Sequence, residues 1–220
     1  MVTRSNRRAN IYNNGIRVRI LDMEEALCSS DRVIVVKNNY SVLAPLIAQI
    51  EAARRNGMAA EPLSTDFIAN GDAARVQRIR NVRQMYGFTF ADATLTFPDY
   101  DDLQLSCVVL LDVLQAEAPA LPAERQDALF RAVWDDYPEI RNKKRRLERV
   151  RQDPYFGALQ LKYGYALTCH KAQGGQWMRV FVDTGYLTPE LLTPDYIRWL
   201  YTAITRATDQ VYFVNWPAEQ

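Results

Sequence analysis

Between residues 159 and 215 the hydrophobic pattern runs strand, loop, strand, helix, strand. That order constrains the fold more than any other feature of the chain. Tyr163 to Thr168, Val180 to Asp183 and Val211 to Asn215 read as the strands. Before the last of them, Thr193 and Pro194 make a good N-cap and first-turn pair for a helix running to Thr208. Ile197, Leu200, Tyr201 and Ile204 give that helix an i, i+3, i+4, i+7 apolar stripe. Strands alternating with helices pair in parallel, so the expected class is α/β with a parallel sheet.

Three regions precede this one. Residues 1–64 contain a loosely apolar helical stretch from Ile11 to Ile20, then a buried strand from Arg32 to Val36 after Asp31. A helix over 41–53 follows, with Leu43, Leu46, Ile47 and Ile50 at helical spacing, ending before Gly57. From 65 to 118 the period falls to two. Phe67-Ile68, Val76–Ile79, Phe88–Phe90, Ala93–Phe97 and Leu103–Leu111 read as short strands, with turns at Asn70-Gly71-Asp72 and Tyr86-Gly87. Short strands at this density suggest a small antiparallel β-barrel inserted in a larger fold.

Residues 119–160 read as a helical insertion. Pro122 opens a helix carrying Leu129, Phe130, Val133 and Trp134, and Pro138 opens a second that Pro154 stops. The second helix carries Arg141, Lys143, Lys144, Arg145, Arg146, Arg149 and Arg151. With Glu139 and Glu148 alongside, this run reads first as a solvated face and second as a phosphate track. The four tryptophans read as core or lid residues before base-stacking platforms. Residues 161–220 return to the parallel sheet.

Composition removes several functions. With 27 Lys and Arg against 26 Asp and Glu, the net charge is +1, which excludes a polybasic protein that holds nucleic acid by bulk charge. Cys28, Cys107 and Cys169 are odd in number and far apart, and His170 is the only histidine, so neither a disulfide framework nor a metal site is expected. The longest apolar run, Cys107 to Leu111, is too short to cross a bilayer, and no apolar segment follows the N-terminal arginines as in a secretory signal. A cytoplasmic protein is expected. None of the nine glycines precedes a lysine, so the phosphate-cradling G-x-x-x-x-G-K-[ST] loop is missing. The chain by itself is not expected to be an ordinary ATPase.

Two segments concentrate polar chemistry. In the first, Tyr165 to Trp177, an apolar strand ends in the donors Thr168, His170, Lys171 and Gln173, and Gly174-Gly175 lets the backbone bend closely round a ligand. Donors at the carboxyl end of a parallel strand are where α/β sheets bind ligands, and phosphates suit this set. In the second, Tyr201 to Ala207, Thr202, Thr205 and Arg206 share one helix face, on which Arg206 is expected to be held rigidly and aimed outward.

The chain resembles the C-terminal part of a superfamily-1 DNA helicase, nearest to the RecD-like group (exodeoxyribonuclease V alpha) within the UvrD-like C-terminal family. Leu167-Thr-Cys-His-Lys-Ala-Gln-Gly-Gly-Gln-Trp177 resembles that family's motif V, and Tyr201-Thr-Ala-Ile-Thr-Arg-Ala207 its motif VI. Phe67-Ile-Ala-Asn-Gly-Asp72 resembles the turn leading into an inserted barrel, and Val2-Thr-Arg-Ser-Asn-Arg-Arg8 the opening of the second RecA-like domain. The resemblance implies a RecA-like, P-loop NTPase-type sheet that lacks the P-loop.

It also implies roles. Arg206 matches the arginine that reaches the ATP γ-phosphate across an interdomain cleft, a contribution of about 10³–10⁵ in rate where separated. Thr168, His170 and Lys171 match the single-stranded DNA contacts, and Gln173 and Gly174 the link between strand and nucleotide. Gln176 stands where many relatives have a ribose-contacting Glu. ATP with Mg²⁺ is then the implied cofactor, bound mainly by a first RecA-like domain that these residues do not contain. The implied partners are single-stranded DNA, that first domain and other helicase–nuclease subunits, with no membrane. Movement from 5′ to 3′ and roles in DNA repair or recombination go with the RecD-like group. Two other functions fit the same residues: a stand-alone nucleic-acid-binding module without ATPase activity, and a module whose barrel docks a partner protein.

Overall fold

The computed structural model describes residues 1–186 and 192–216. In chain order the elements are β1 (Val2–Thr3), α1 (Asn6–Arg19), β2 (Arg32–Val35), α2 (Ala44–Arg55), β3 (Ala73–Met85), β4 (Phe88–Phe97), β5 (Leu103–Leu110), α3 (Ala123–Asp135), α4 (Lys143–Arg151), β6 (Leu159–Tyr163), β7 (Leu167–Thr168), α5 (Cys169–Ala172), β8 (Trp177–Asp183), α6 (Pro194–Ile204) and β9 (Ala207–Val214). They form two compact units, residues 1–24 with 164–220, and residues 25–163.

The first unit is a parallel sheet of order β7-β1-β8-β9. Val2, Val180 and Val182 bury together with Cys169, Ala172 and Ala203, so α5 and α6 supply the cover for these strands. Asn13 is buried in α1 and acts as a backbone mimic: its amide donates to the Ala166 carbonyl at 2.9 Å and accepts from the Ala166 N–H at 2.8 Å. Helix α6 starts where the sequence places it, with the Thr193 hydroxyl accepting from the Tyr196 N–H. Its buried side is Tyr196 and Ala203, flanked by Trp199, Leu200 and Ile204, whereas Ile197 and Tyr201 are exposed. The expected stripe is rotated because apolar residues nearly encircle this helix, and the small Ala203 permits the closest approach to Val180 and Val182. The helix ends at Ile204 rather than Thr208, and β9 begins at Ala207.

The second unit is a closed barrel of β2-β3-β4-β5-β6. The expected division assigned residues 1–64 to the parallel-sheet region and only 65–118 to the barrel. Instead β2 and β6 close the barrel by pairing with each other (Val33↔Tyr163), so both belong to it. The expected short strands merge into long ones. β3 follows the curved wall through irregularities between Val76 and Arg78 and between Arg80 and Arg83. Phe67-Ile68 contributes one bridge, Asn39 to Ile68, and no strand. Tyr86 and Gly87 both have positive φ, the backbone a two-residue hairpin needs between β3 and β4.

The barrel is also not wholly antiparallel: β5 and β6 pair in parallel, Val109 to Leu159. The helical segment between them supplies the long crossover a parallel pair requires. Phe88, Phe90, Leu110 and Ala158 pack with Leu129 and Val133 of α3 and Val150 of α4 in one buried cluster. Helix α4 is capped by Asn142, whose side chain accepts from the Arg145 N–H, and not opened by Pro138. A polar cap satisfies an N–H that proline leaves alone.

The expected single strand from Tyr163 to Thr168 is two. Residues up to Tyr163 belong to the barrel, and Leu167-Thr168 to the parallel sheet, with Gly164 between them. Among the described residues, no helix is long and apolar enough to cross a membrane.

Candidate functional site

Sequence-selected residues occupy both ends of the parallel sheet. At the carboxyl end, Thr3 of β1 sits level with Thr168 of β7, and Val2 level with Val182 of β8. Thr168 begins the four-residue helix α5 and uses its side chain for no cap. His170 on α5 is exposed, and burial lowers the Lys171 ammonium below its ordinary value. Gln173 ends α5 and is exposed.

The amino end lies at Trp177, paired with Ala207. Val182 lies five residue steps beyond Trp177 along β8, about 16 Å at the ordinary strand rise. Here the chain brings together Gly174, Gly175, Gln176 and Arg206, which are 30 residues apart in sequence. Gly174 takes φ +86, and Gln176 is exposed. At Gly175 an added Cβ would lie 2.4 Å from the Trp177 ring, so a side chain there would displace the indole. The Arg206 backbone carbonyl accepts from the Trp177 N–H at 2.9 Å.

The Arg206 side chain is not aimed outward, as the sequence suggested. It folds back onto the end of α6: Nε donates to the Thr202 carbonyl at 3.1 Å, Nη2 to the Thr205 hydroxyl at 3.1 Å, and Nη1 to the Gly175 carbonyl at 3.4 Å. The last carbonyls of a helix have no partners within it, and a guanidinium just beyond the end is well placed to serve them. Among the described residues no carboxylate lies within ion-pair distance of Arg206. Its charge is therefore uncompensated, and two of its five N–H donors are unused. That donor set fits a phosphate oxygen.

Sequence reasoning missed a cluster at the carboxyl end. Arg4 lies over the rings of Tyr196 and Trp199, at 5.0 and 5.7 Å. The Trp199 indole N–H is buried without an acceptor. Arg8 pairs with Asp183 through two hydrogen bonds, of 2.8 and 3.0 Å. Burial pushes the Asp183 carboxyl up, but hydrogen bonds from Arg8, Asn215 and the Gly185 N–H outweigh it and hold it below its ordinary value. The segment Val2 to Arg8 stood out in the sequence as a strand-to-helix opening; nothing local marked Asp183, 175 residues away, as its partner.

Nucleophile chemistry at Cys169 has no support. Its thiol is pushed up by burial, against the opposing charge of Arg206, and donates to the Trp199 carbonyl at 3.7 Å. Asn70-Gly71-Asp72 is structural. The Gly71 N–H donates to Val35, the Asp72 carboxylate accepts from the Ala69 N–H and the Tyr100 hydroxyl, and the Asn70 N–H reaches the Asn38 side chain. No group of His, Cys, Asp and Glu among the described residues is arranged to hold a metal ion.

Comparison with curated proteins finds no match. Among solved structures, the Pif1 helicase from Candida albicans is similar at 14% identity with a TM-score of 0.37, covering 91% of this chain. This chain spans 36% of that one. Residues 163–214, which hold β7, α5, β8, α6 and β9, match the UvrD-like helicase C-terminal domain family.

Proposed function

We propose that the parallel-sheet unit is the second, RecA-like motor domain of an ATP-dependent, RecD-like DNA helicase. The observation that carries this reading is Arg206: an arginine with no carboxylate partner among the described residues, docked on the Gly175 carbonyl beside Gln176. In an intact motor ATP with Mg²⁺ supplies the phosphoryl group, and Arg206 stabilises charge on it while Gly174 and Gln176 face the nucleotide. Thr168, His170, Lys171 and Gln173 meet single-stranded DNA at the other end of the sheet, where open α/β sheets bind ligands. Movement from 5′ to 3′ belongs to the same reading.

The connection between the two ends is short. Cys169 to Gln176 runs from the strand-facing end to the nucleotide-facing end, so a displacement of one end is felt at the other. Replacing Arg206 by Ala, in a protein that joins these residues to a P-loop domain, should cut ATP turnover at least about 10³-fold. Strand binding should survive. Unchanged turnover refutes the assignment. In the 220-residue chain, Thr168→Val with His170→Ala should weaken binding of an oligo-dT probe; equal affinity removes these residues from the DNA site.

A further inference from the structure

The helical segment carried by the barrel holds charge that folding does not explain. In α4 six cations accompany one acid, Glu148. Two of the six are committed to structure. Arg146 donates through Nε and Nη2 to the Trp134 carbonyl, at 3.0 and 2.6 Å, and lies over the Trp134 ring; Arg149 lies over Tyr137. Lys143, Lys144 and Arg145 are exposed, and among the described residues none has a carboxylate within ion-pair distance. They occupy the first turn, which contains no acid, so each opposes the helix dipole. Like charges crowded where the fold disfavours them point to an anionic partner.

The adjoining surface narrows the class of partner. Between α3 and α4 lies an open groove of about 600 Å³, lined by Phe130, Trp134 and Leu147 with Arg131, Asp135 and Lys143 at its sides. Phe130 and Trp134 pack at 5.7 Å with an interplanar angle of 34°. An apolar, aromatic floor beside cations matches the alternation of bases and phosphates along a single strand. A duplex hides its bases from such a floor.

We propose that the α3–α4 pair is a second site for single-stranded nucleic acid. A base lies on the floor formed by Phe130, Trp134 and Leu147, and Arg131, Lys143, Lys144 and Arg145 hold the flanking phosphates. The site is separate from Thr168 and His170 and stands without the motor reading.

The test is fluorescence anisotropy of the 220-residue chain with a labelled oligo-dT across a salt series. Changing Arg131, Lys143, Lys144 and Arg145 together to Gln should weaken binding at least about tenfold at low salt. It should also flatten the log–log salt slope by about 3, near 0.7 per cation removed from a single strand. The melting temperature should stay level or rise, because the changes relieve the helix dipole, and this separates lost binding from lost fold. A second variant, Arg75→Gln with Arg78→Gln and Arg80→Gln on the exposed face of β3, should lose much less. Equal losses in the two variants overturn the proposal in favour of bulk charge. Unchanged binding in the first variant overturns it outright, as does displacement of oligo-dT by polyglutamate at equal charge. Loss in the α4 variant with none in the Thr168/His170 variant keeps this site and defeats the DNA assignment in the motor reading; the reverse pattern does the opposite.

Discussion

The two units solve the same problem differently. The barrel closes on itself, with every strand paired on both sides over part of its length, and its large exposed apolar side chains among the described residues are only Tyr40, Met58 and Val82. The parallel sheet is open. It exposes Trp177, Met178, Phe181, Tyr212, Phe213 and Trp216 on or beside β8 and β9, and Phe181 stacks on Tyr212 at 4.8 Å across the strand pair. Parallel sheets are ordinarily covered on both faces. The barrel is thus built to be stable alone, and the sheet to be completed by something else.

The sharpest way to break this contrast is to separate the units. Residues 25–163 alone should unfold cooperatively by circular dichroism, while residues 1–24 joined directly to 164–220 should not hold a fold. A folded sheet piece would end the comparison. Next in size, Phe90→Ala in the barrel core should cost about 3–5 kcal/mol in urea unfolding. Phe90 is fully buried against Tyr155 and Phe88, so the cavity has little room to collapse.

Smaller, and confined to the sheet unit, is Asp183→Asn. It removes one side of a pair whose other side, Arg8, is 42% exposed and can turn to water. A cost of about 1–3 kcal/mol is expected. The Asp183 carboxyl titrates below its ordinary value, so its contribution is present above the ordinary carboxylate range. It fades as pH falls through that range toward the depressed value. A melting-temperature series against pH should show a shallower acid limb in Asp183→Asn than in the parent. Smallest is Asn142→Ala, which removes the α4 cap for about 1 kcal/mol in a thermal melt of the barrel unit.

What the sequence made legible also divides between the units. Features written in local chemistry came through: the Tyr86-Gly87 hairpin, the Thr193-Pro194 helix start and the end of a helix before Gly57. Parallel strands flanking α6 were readable from the hydrophobic pattern. What stayed hidden depends on direction or on distance. The apolar run through Leu159 to Thr168 changes sheets at Gly164 with no change of period. The fold-back of Arg206 is set by carbonyls freed at the end of α6, which no spacing reports. The Arg8–Asp183 pair joins residues far apart in the chain, with nothing local to announce it.

The pairing of β2 with β6 has a consequence for the order of events. These strands stand at the two ends of residues 25–163, so once they pair the chain leaves the barrel close to where it came in. For the strands that flank it, the long insertion then behaves as a short staple of fixed span. Before that closure, β1 can reach β7 only by closing a loop of more than 160 residues, a cost that rises with the logarithm of its length. The barrel is therefore the timer of the sheet. In pulse-labelled hydrogen exchange its amides should be protected first; earlier protection of Leu167, whose N–H donates to the Met1 carbonyl, would reverse that order.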